Sequence, residues 1–329
     1  MTRALTAAFL ALVALQLSHR SVAAQERPNL SLVARALEGQ VIAWRRDFHQ
    51  HPELSNREFR TAGIVTAHLE SLGIEVSTGI AHTGVVGILR GGRPGPVVAL
   101  RADMDGLPVP ERNDLPFRSE VTAEYRGETV PVMHACGHDT HVAILMGVAE
   151  ALAGMRDDLP GTVKFIFQPA EEGPPEGEEG GAELMTREGV LSSPDVDVAF
   201  ALHIWSLQDV GTIAYRSGPF MASVQDYRMV VTGRQSHGAT PWLGVDPIVT
   251  ASQIVVGLQT IVSRTLDITE NPAIVTVGSF HGGVRSNIIP ERVELLGTIR
   301  TFSPEQTETV HRRVREIATH IAASAGAEV

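Results

Sequence analysis

The chain has 329 residues, 43% of them hydrophobic and 20% charged, with few aromatics, a balance that excludes fibrous and disordered classes. Its formal net charge of -11 is spread over scattered acidic side chains with no basic stripe, which argues against nucleic acid as a partner.

At the N-terminus, Arg3 precedes a mostly apolar run over residues 4–15, and Ser21-Val22-Ala23-Ala24 offers small residues suited to signal peptidase. The run is shorter than the roughly 20 residues that span a bilayer. Residues 1–24 therefore read as a secretory signal peptide. The mature chain is expected to begin near Gln25, to be secreted or periplasmic, and to have no membrane association after cleavage. Cys136 is the single cysteine, so an internal disulfide is excluded and the thiol's purpose has to be sought in its surroundings.

Apolar spacing predicts helices over residues 30–51 and 57–72, the second ending at Gly73. Short β-branched runs at 74–76, 84–89 and 96–101 predict strands, and the third is apolar on both faces, as a central strand covered by helices would be. A helix over 138–152, a strand over 163–167, a helix over 182–187 and a strand over 196–203 follow. This alternation implies an α/β sandwich. After Gly218 the pattern changes to a strand over 229–232, a helix over 246–264, strands over 273–280 and 292–301, a helix over 304–325, and a strand just beginning at Ala327. That β-α-β-β-α-β order is ferredoxin-like. Residues 25–218 are thus expected to form the first domain and 219–329 the second, with an acidic Gly/Pro-rich solvated loop over 173–181.

Three segments carry chemistry. His134-Ala135-Cys136-Gly137-His138-Asp139-Thr140-His141 offers a thiol and three imidazoles where a loop opens onto a helix. Thiolate and imidazole at i and i+2 can converge on one ion if the backbone turns between them, which Gly137 permits. Glu171 and Glu172 follow a largely apolar strand, at the carboxyl end where α/β sheets place ligands. On extended backbone their side chains diverge, so one could bind metal while the other acts as a base. An isolated Glu-Glu pair is otherwise an exposed acidic turn. His203 ends the strand over 196–203, and alone would be a satisfied core histidine.

Together with Arg45-Arg46-Asp47-Phe48-His49-Gln50-His51-Pro52-Glu53, with 100–108 (Leu-Arg-Ala-Asp-Met-Asp-Gly-Leu-Pro) and with Ser286-Asn287-Ile288-Ile289-Pro290, these motifs resemble the aminoacylase and carboxypeptidase-type metallopeptidase superfamily. The match is to its amidohydrolase branch, which includes hippurate hydrolases and hydrolases of indole-acetyl amino acids. The resemblance implies a three-layer α/β/α metallohydrolase sandwich with an inserted ferredoxin-like lid and dimerisation domain. It implies two divalent metal ions, zinc or manganese, with Cys136 shared between them, His138, Glu172 and His203 as further ligands, and Glu171 as general base. Asp103-Met104-Asp105 stands where other branches carry His-x-Asp. Asp105 is accordingly expected to orient ligands from behind them. His237, in Ser236-His237-Gly238-Ala239, and Asn287 match positions that contact substrate or its developing oxyanion, the histidine reaching a partner subunit's site. The implied substrate is a small N-acyl amino acid, and the implied assembly a homodimer through the lid.

The resemblance also places a last histidine ligand beyond Val329, so a further segment on the order of 100 residues is expected, by the usual size of domains, to complete the first domain. The shorter chain would then bind metal weakly. Two other readings stand beside this one: a dipeptidase or aminopeptidase of the same superfamily, or an inactive binding fragment. His49, His51, His281, His311 and His320 are expected to be structural or exposed.

Overall fold

A computed structural model describes residues 29–329, so the expected signal peptide lies outside the described residues. Compactness divides the chain between Gln208 and Asp209, and residues 209–224 carry neither helix nor strand. The expected boundary at Gly218 falls inside that segment.

In the first unit, helix α1 (Leu30–Gln50) starts at Asn29, whose side chain accepts the Ser31 N–H, and stops before Pro52. Helix α2 (Phe59–Ser71) has no cap from its own preceding residue. Glu53 supplies it from a distance, one carboxylate oxygen accepting the Arg60 N–H and the other the Thr61 N–H, both at 2.8 Å. Strands β1 (Glu75–Ile80), β2 (Gly84–Arg90) and β3 (Arg93–Asp103) follow, then a hairpin of β4 (Thr122–Tyr125) and β5 (Glu128–Pro131) that the periodicity did not predict. Helix α3 (His138–Ala153), β6 (Pro160–Gln168), the short α4 (Gly181–Arg187) and β7 (Val198–Ala201) complete the unit.

The sheet runs β1-β2-β6-β3-β7, with β3, β6 and β7 mutually parallel and β2 antiparallel to β6. Its faces are read directly from the pleat. Val163, Phe165 and Phe167 pack with Phe48, Leu69, Val142 and Met146 of α1–α3, while Ile166 packs with Met185 of α4 and Val190 on the other face. This is the three-layer α/β/α architecture. Lys164 shares the second face and is almost fully buried, its ammonium donating to the Val190, Ser192 and Pro194 carbonyls. Parallel pairing sets Asp103 opposite Gln168 and Leu100 opposite Phe200, so β3, β6 and β7 deliver their carboxyl ends to one edge of the sheet. The ligand position of an α/β sheet is there.

The second unit holds β8 (Gln225–Thr232), β9 (Ser236–His237), α5 (Pro247–Thr260), β10 (Ile274–Gly282), β11 (Ile288–Ile289), β12 (Arg292–Arg300) and α6 (Pro304–Ala325). Its antiparallel sheet runs β10-β12-β8, and Glu328 pairs with Thr232 on the outer side of β8, where the strand expected from Ala327 begins. That single bridge stands where the last strand of the ferredoxin-like order is expected. Met229, Val231, Val293, Leu295 and Ile299 of the sheet pack against Ile254 and Leu258 of α5 and Val310 and Val314 of α6. The helix expected over 246–264 ends earlier as an α-helix and continues as a π-helical turn over Ile261–Thr265.

Candidate metal centre

Four segments reach the carboxyl edge of the first unit's sheet. From β3 come Asp103 and Asp105, both fully buried. The loop into α3 brings Cys136 and His138, and the bend between them depends on Gly137, whose φ of 90° is left-handed and where a Cβ would lie 2.2 Å from the Ile204 side chain. From β6 come Glu171 and Glu172, and from β7 His203.

The pair Glu171-Glu172 departs from the extended backbone expected of it. It sits in a turn, preceded by Ala170 at φ 49°. The reason is tertiary: Asp105 accepts the Glu171 N–H with one carboxylate oxygen and the Glu172 N–H with the other, each at 3.0 Å, and also the Ser55 hydroxyl at 2.8 Å. The same carboxylate lies 3.3 Å from His138 Nδ1. Asp105 therefore holds both the imidazole and the acidic turn.

His138 is the centre of the cluster. Its ring is fully buried; Nδ1 faces the Asp105 carboxylate as an ion pair, whereas Nε2 has no hydrogen bond among the described residues. Around Nε2 stand Asp103 Oδ2 at 3.7 Å, Glu171 Oε2 at 3.6 Å and Glu172 Oε1 at 3.9 Å. Cys136 Sγ lies 3.4 Å from His203 Nε2. The spacings around His138 Nε2 are long for hydrogen bonds, and all of these distances suit donors sharing an ion at about 2.0–2.3 Å each. Two donor groups, Cys136/His138/His203 and His138/Glu171/Glu172, each lie within 4.8 Å and overlap at His138.

A third close group, Asp103/His138/His141, is accounted for without an ion. His141 Nδ1 contacts Asp103 Oδ1 at 2.6 Å, and His141 Nε2 accepts the Ile204 N–H at 2.9 Å, so both ring nitrogens are engaged. Arg101 donates to the other Asp103 oxygen at 2.6 Å. The Asp103–His141 pair thus ties the end of β3 to the backbone just past His203.

The electrostatics show concentrated negative charge. Burial, followed by Glu172 and Glu171, pushes the Cys136 thiol up to about 12. Burial opposes protonation of His138 but is outweighed by Asp105, Asp103 and Glu171, which raise it to about 9. Glu171 is raised by burial and by Asp103. Burial also opposes ionisation of Asp103, yet His141, Arg101 and His138 hold it well below the usual carboxylate range. A thiol pushed up and an imidazole held protonated are what a divalent cation would reverse, since metal ligation requires both deprotonated. The donor set and the unbonded Nε2 of His138 fit such a cation.

Of the residues singled out from the sequence, Cys136, His138, Glu171, Glu172, His203 and Asp105 are brought together here. His237 and Asn287 lie in the second unit, where the β9–β11 pairing sets His237 opposite Ile288 and the Gly238 N–H donates to the Asn287 carbonyl at 2.8 Å. His237 Nδ1 accepts the Ala239 N–H, leaving Nε2 exposed. Sequence reasoning passed over Ser55 and Glu58, and quoted Asp103 and His141 within their motifs without assigning either a role. Ser55-x-x-Glu58 ahead of a helix carries the spacing of a capping box, a signal that would have drawn the eye but to the wrong role.

An α/β sandwich with soft and hard donors at its strand ends defines the class as that of metallohydrolases. Residues 99–326 match the peptidase family M20/M25/M40, and the chain belongs to that family. It is 41% identical over 294 residues to thermostable carboxypeptidase 1 of Saccharolobus solfataricus, covering 89% of this chain and 71% of that protein. It is 41% identical over 287 residues to the N-acyl-L-amino acid amidohydrolase of Geobacillus stearothermophilus, covering 87% of this chain and 74% of that protein. Among solved structures, a dinuclear metal-binding peptidase of the M20 family from Bacillus subtilis superposes with a TM-score of 0.73 at 38% identity, covering 89% of this chain and 72% of that one.

Proposed function

We propose that the chain is a metal-dependent amidohydrolase acting on N-acyl amino acids, with two divalent ions held by Cys136, His138, Glu172 and His203. The observation that carries the reading is His138, a buried imidazole whose Nε2 has no hydrogen bond and stands 3.6–3.9 Å from the carboxylates of Asp103, Glu171 and Glu172. When bound, the ions supply positive charge that polarises the scissile carbonyl and lowers the pKa of water. Glu171, which is more exposed than the wall behind it, takes the water's proton at its carboxylate and hands it to the leaving amine. Asp105 keeps the acidic turn and the His138 ring in place throughout. Thiolate and imidazole favour zinc, whereas carboxylate also suits manganese.

The amidohydrolase and carboxypeptidase relatives share one chemical demand, cleavage of an amide whose nitrogen belongs to a residue with a free α-carboxylate. An N-acyl amino acid is the smallest such substrate. His237, with its exposed Nε2, and Asn287 supply polar contacts for substrate. Pairing of two copies through the second unit belongs to the same reading, supported by β10 standing at a sheet edge with Ile274 and Phe280 exposed. Export to a secreted or periplasmic location rests on the leader pattern of residues 1–24. The deciding test is metal analysis together with turnover of hippurate against simple dipeptides, ions being restored one type at a time. Turnover of dipeptides but not of hippurate would overturn the substrate class.

A further inference from the structure

Three successive backbone N–H groups follow β6, and each ends on a buried carboxylate. The Ala170 N–H donates to Glu58 Oε1 at 2.8 Å, and the Glu171 and Glu172 N–H groups donate to the two oxygens of Asp105. Glu58 is fully buried, and the hydroxyl of Thr83, itself 3% exposed, donates to its other oxygen. The cap of α2, a role Glu58 could have taken from its position, falls to Glu53, which frees Glu58 to turn inward.

We infer that Glu58 is a positioning residue for hydrolysis: by fixing the Ala170 N–H it holds the left-handed turn that aims the Glu171 and Glu172 carboxylates. The inference rests on the reading of Glu171 as base and Glu172 as ligand. Its physical content is that Ala170 at φ 49° occupies a region a Cβ-bearing residue rarely adopts unless its surroundings over-determine it. Asp105 restrains the two residues after Ala170, the Gly173 N–H donates to the Ala170 carbonyl at 3.3 Å, and Glu58 holds Ala170 from its N–H side. Releasing that bond lets the backbone relax toward ordinary φ, which swings Glu171 away from the position set by Asp105. Burial pushes Glu58 up to about 7, so a neutral amide is a close stand-in for it. In Glu58→Gln the amide oxygen still accepts from Ala170, and the amide nitrogen can donate to the Thr83 oxygen.

The test uses the full chain loaded with metal and compares Glu58→Leu, Glu58→Gln, Thr83→Val and Glu171→Gln, with kcat and KM referred to folded, metal-loaded protein. Glu58→Leu is expected to lower kcat per metal-loaded molecule by about 10²-fold, the loss typical of an ångström-scale misplacement, with KM unchanged and the ions held more weakly through Glu172. Glu58→Gln should retain most of kcat, and Thr83→Val should show a smaller loss in the direction of Glu58→Leu. A merely structural glutamate would lower thermal stability and leave kcat per folded molecule alone, and that result in Glu58→Leu overturns the inference. If Glu58→Leu does not fold, an unchanged kcat in Thr83→Val overturns it instead. Full turnover in Glu171→Gln would sink the base assignment itself, whereas a dead Glu171→Gln beside an unaffected Glu58→Leu would sink the positioning role alone.

Discussion

The two units bury different things. Among the described residues, every buried polar or charged side chain except Thr250 and Thr301 lies in the first unit, and His49, Glu58, Asp103, Asp105, His138, Asp139 and His141 crowd toward one end of its sheet. The second unit packs Val231, Ile254, Leu258, Val293, Leu295 and Val310 into a core without ionisable members. Buried polar groups stabilise only when fully satisfied, so the first unit carries strain and unpaired nitrogens where an ion and a substrate are to be met. The second unit has no such duty in its core, which is built by apolar burial beneath the β10-β12-β8 ladder.

That contrast predicts which substitutions act on chemistry and which on stability. The largest effect is expected from Glu171→Gln, which should lower kcat by roughly 10²- to 10⁴-fold as loss of a general acid-base group does. Elemental analysis should find its metal content unchanged, and a wild-type rate would remove Glu171 from the mechanism. In the second unit, Leu258→Ala empties a fully buried site and should destabilise by about 2–5 kcal/mol. Denaturant titration measures the loss, and ion binding in the first unit should persist wherever that unit remains folded. A coupled loss of ion affinity under folding conditions would mean that the contrast is false.

Cys136→Ser replaces a thiolate by a neutral hydroxyl and should weaken metal binding by at least about 10- to 100-fold, the loss expected even from outer-shell partners. Competition with a chelator reads this out, and undiminished affinity would return Cys136 to a packed thiol.

The smallest effect concerns pH. His49 contacts Asp139 through Nδ1 and Glu111 through Nε2, each at 2.9 Å, and Asp139 above all raises its pKa over the ordinary 6.5, against the cost of burial. The folded state therefore holds a proton that the unfolded state releases first. The resulting stabilisation is full below about 6.5, the unfolded value, and is lost as pH rises through the raised folded value. The melting temperature of the wild type should fall across that window more than that of His49→Phe. Parallel curves would show that the contact carries no proton linkage.

Much of the molecule was legible from the chain alone because periodicity is local. Short β-branched and apolar runs marked β3 and β6, helical apolar spacing marked α1 and α2, and the order of elements implied both the sandwich and the ferredoxin-like unit. Chemistry-bearing residues at strand ends stood out for the same reason, since Cys136, Glu171, Glu172 and His203 each follow an apolar run. The hairpin β4–β5 escaped because its exposed, polar alternation leaves no apolar stripe to read. The π-helical end of α5 escaped because the apolar pattern continues through it.

What the chain alone determined is where strands and helices form and which reactive side chains end them, because backbone propensity and apolar spacing act within a few residues. What only tertiary structure decided is which partner each buried polar group finds. Glu58 and Ala170 are separated by 112 positions, Asp103 and His141 by 38, and Cys136 and His203 by 67. Hydrogen bonding does not depend on sequence distance, so Glu58 could be read as a helix cap and Glu171-Glu172 as extended strand until the order β1-β2-β6-β3-β7 set β3 beside β6 and put Asp105 under the turn.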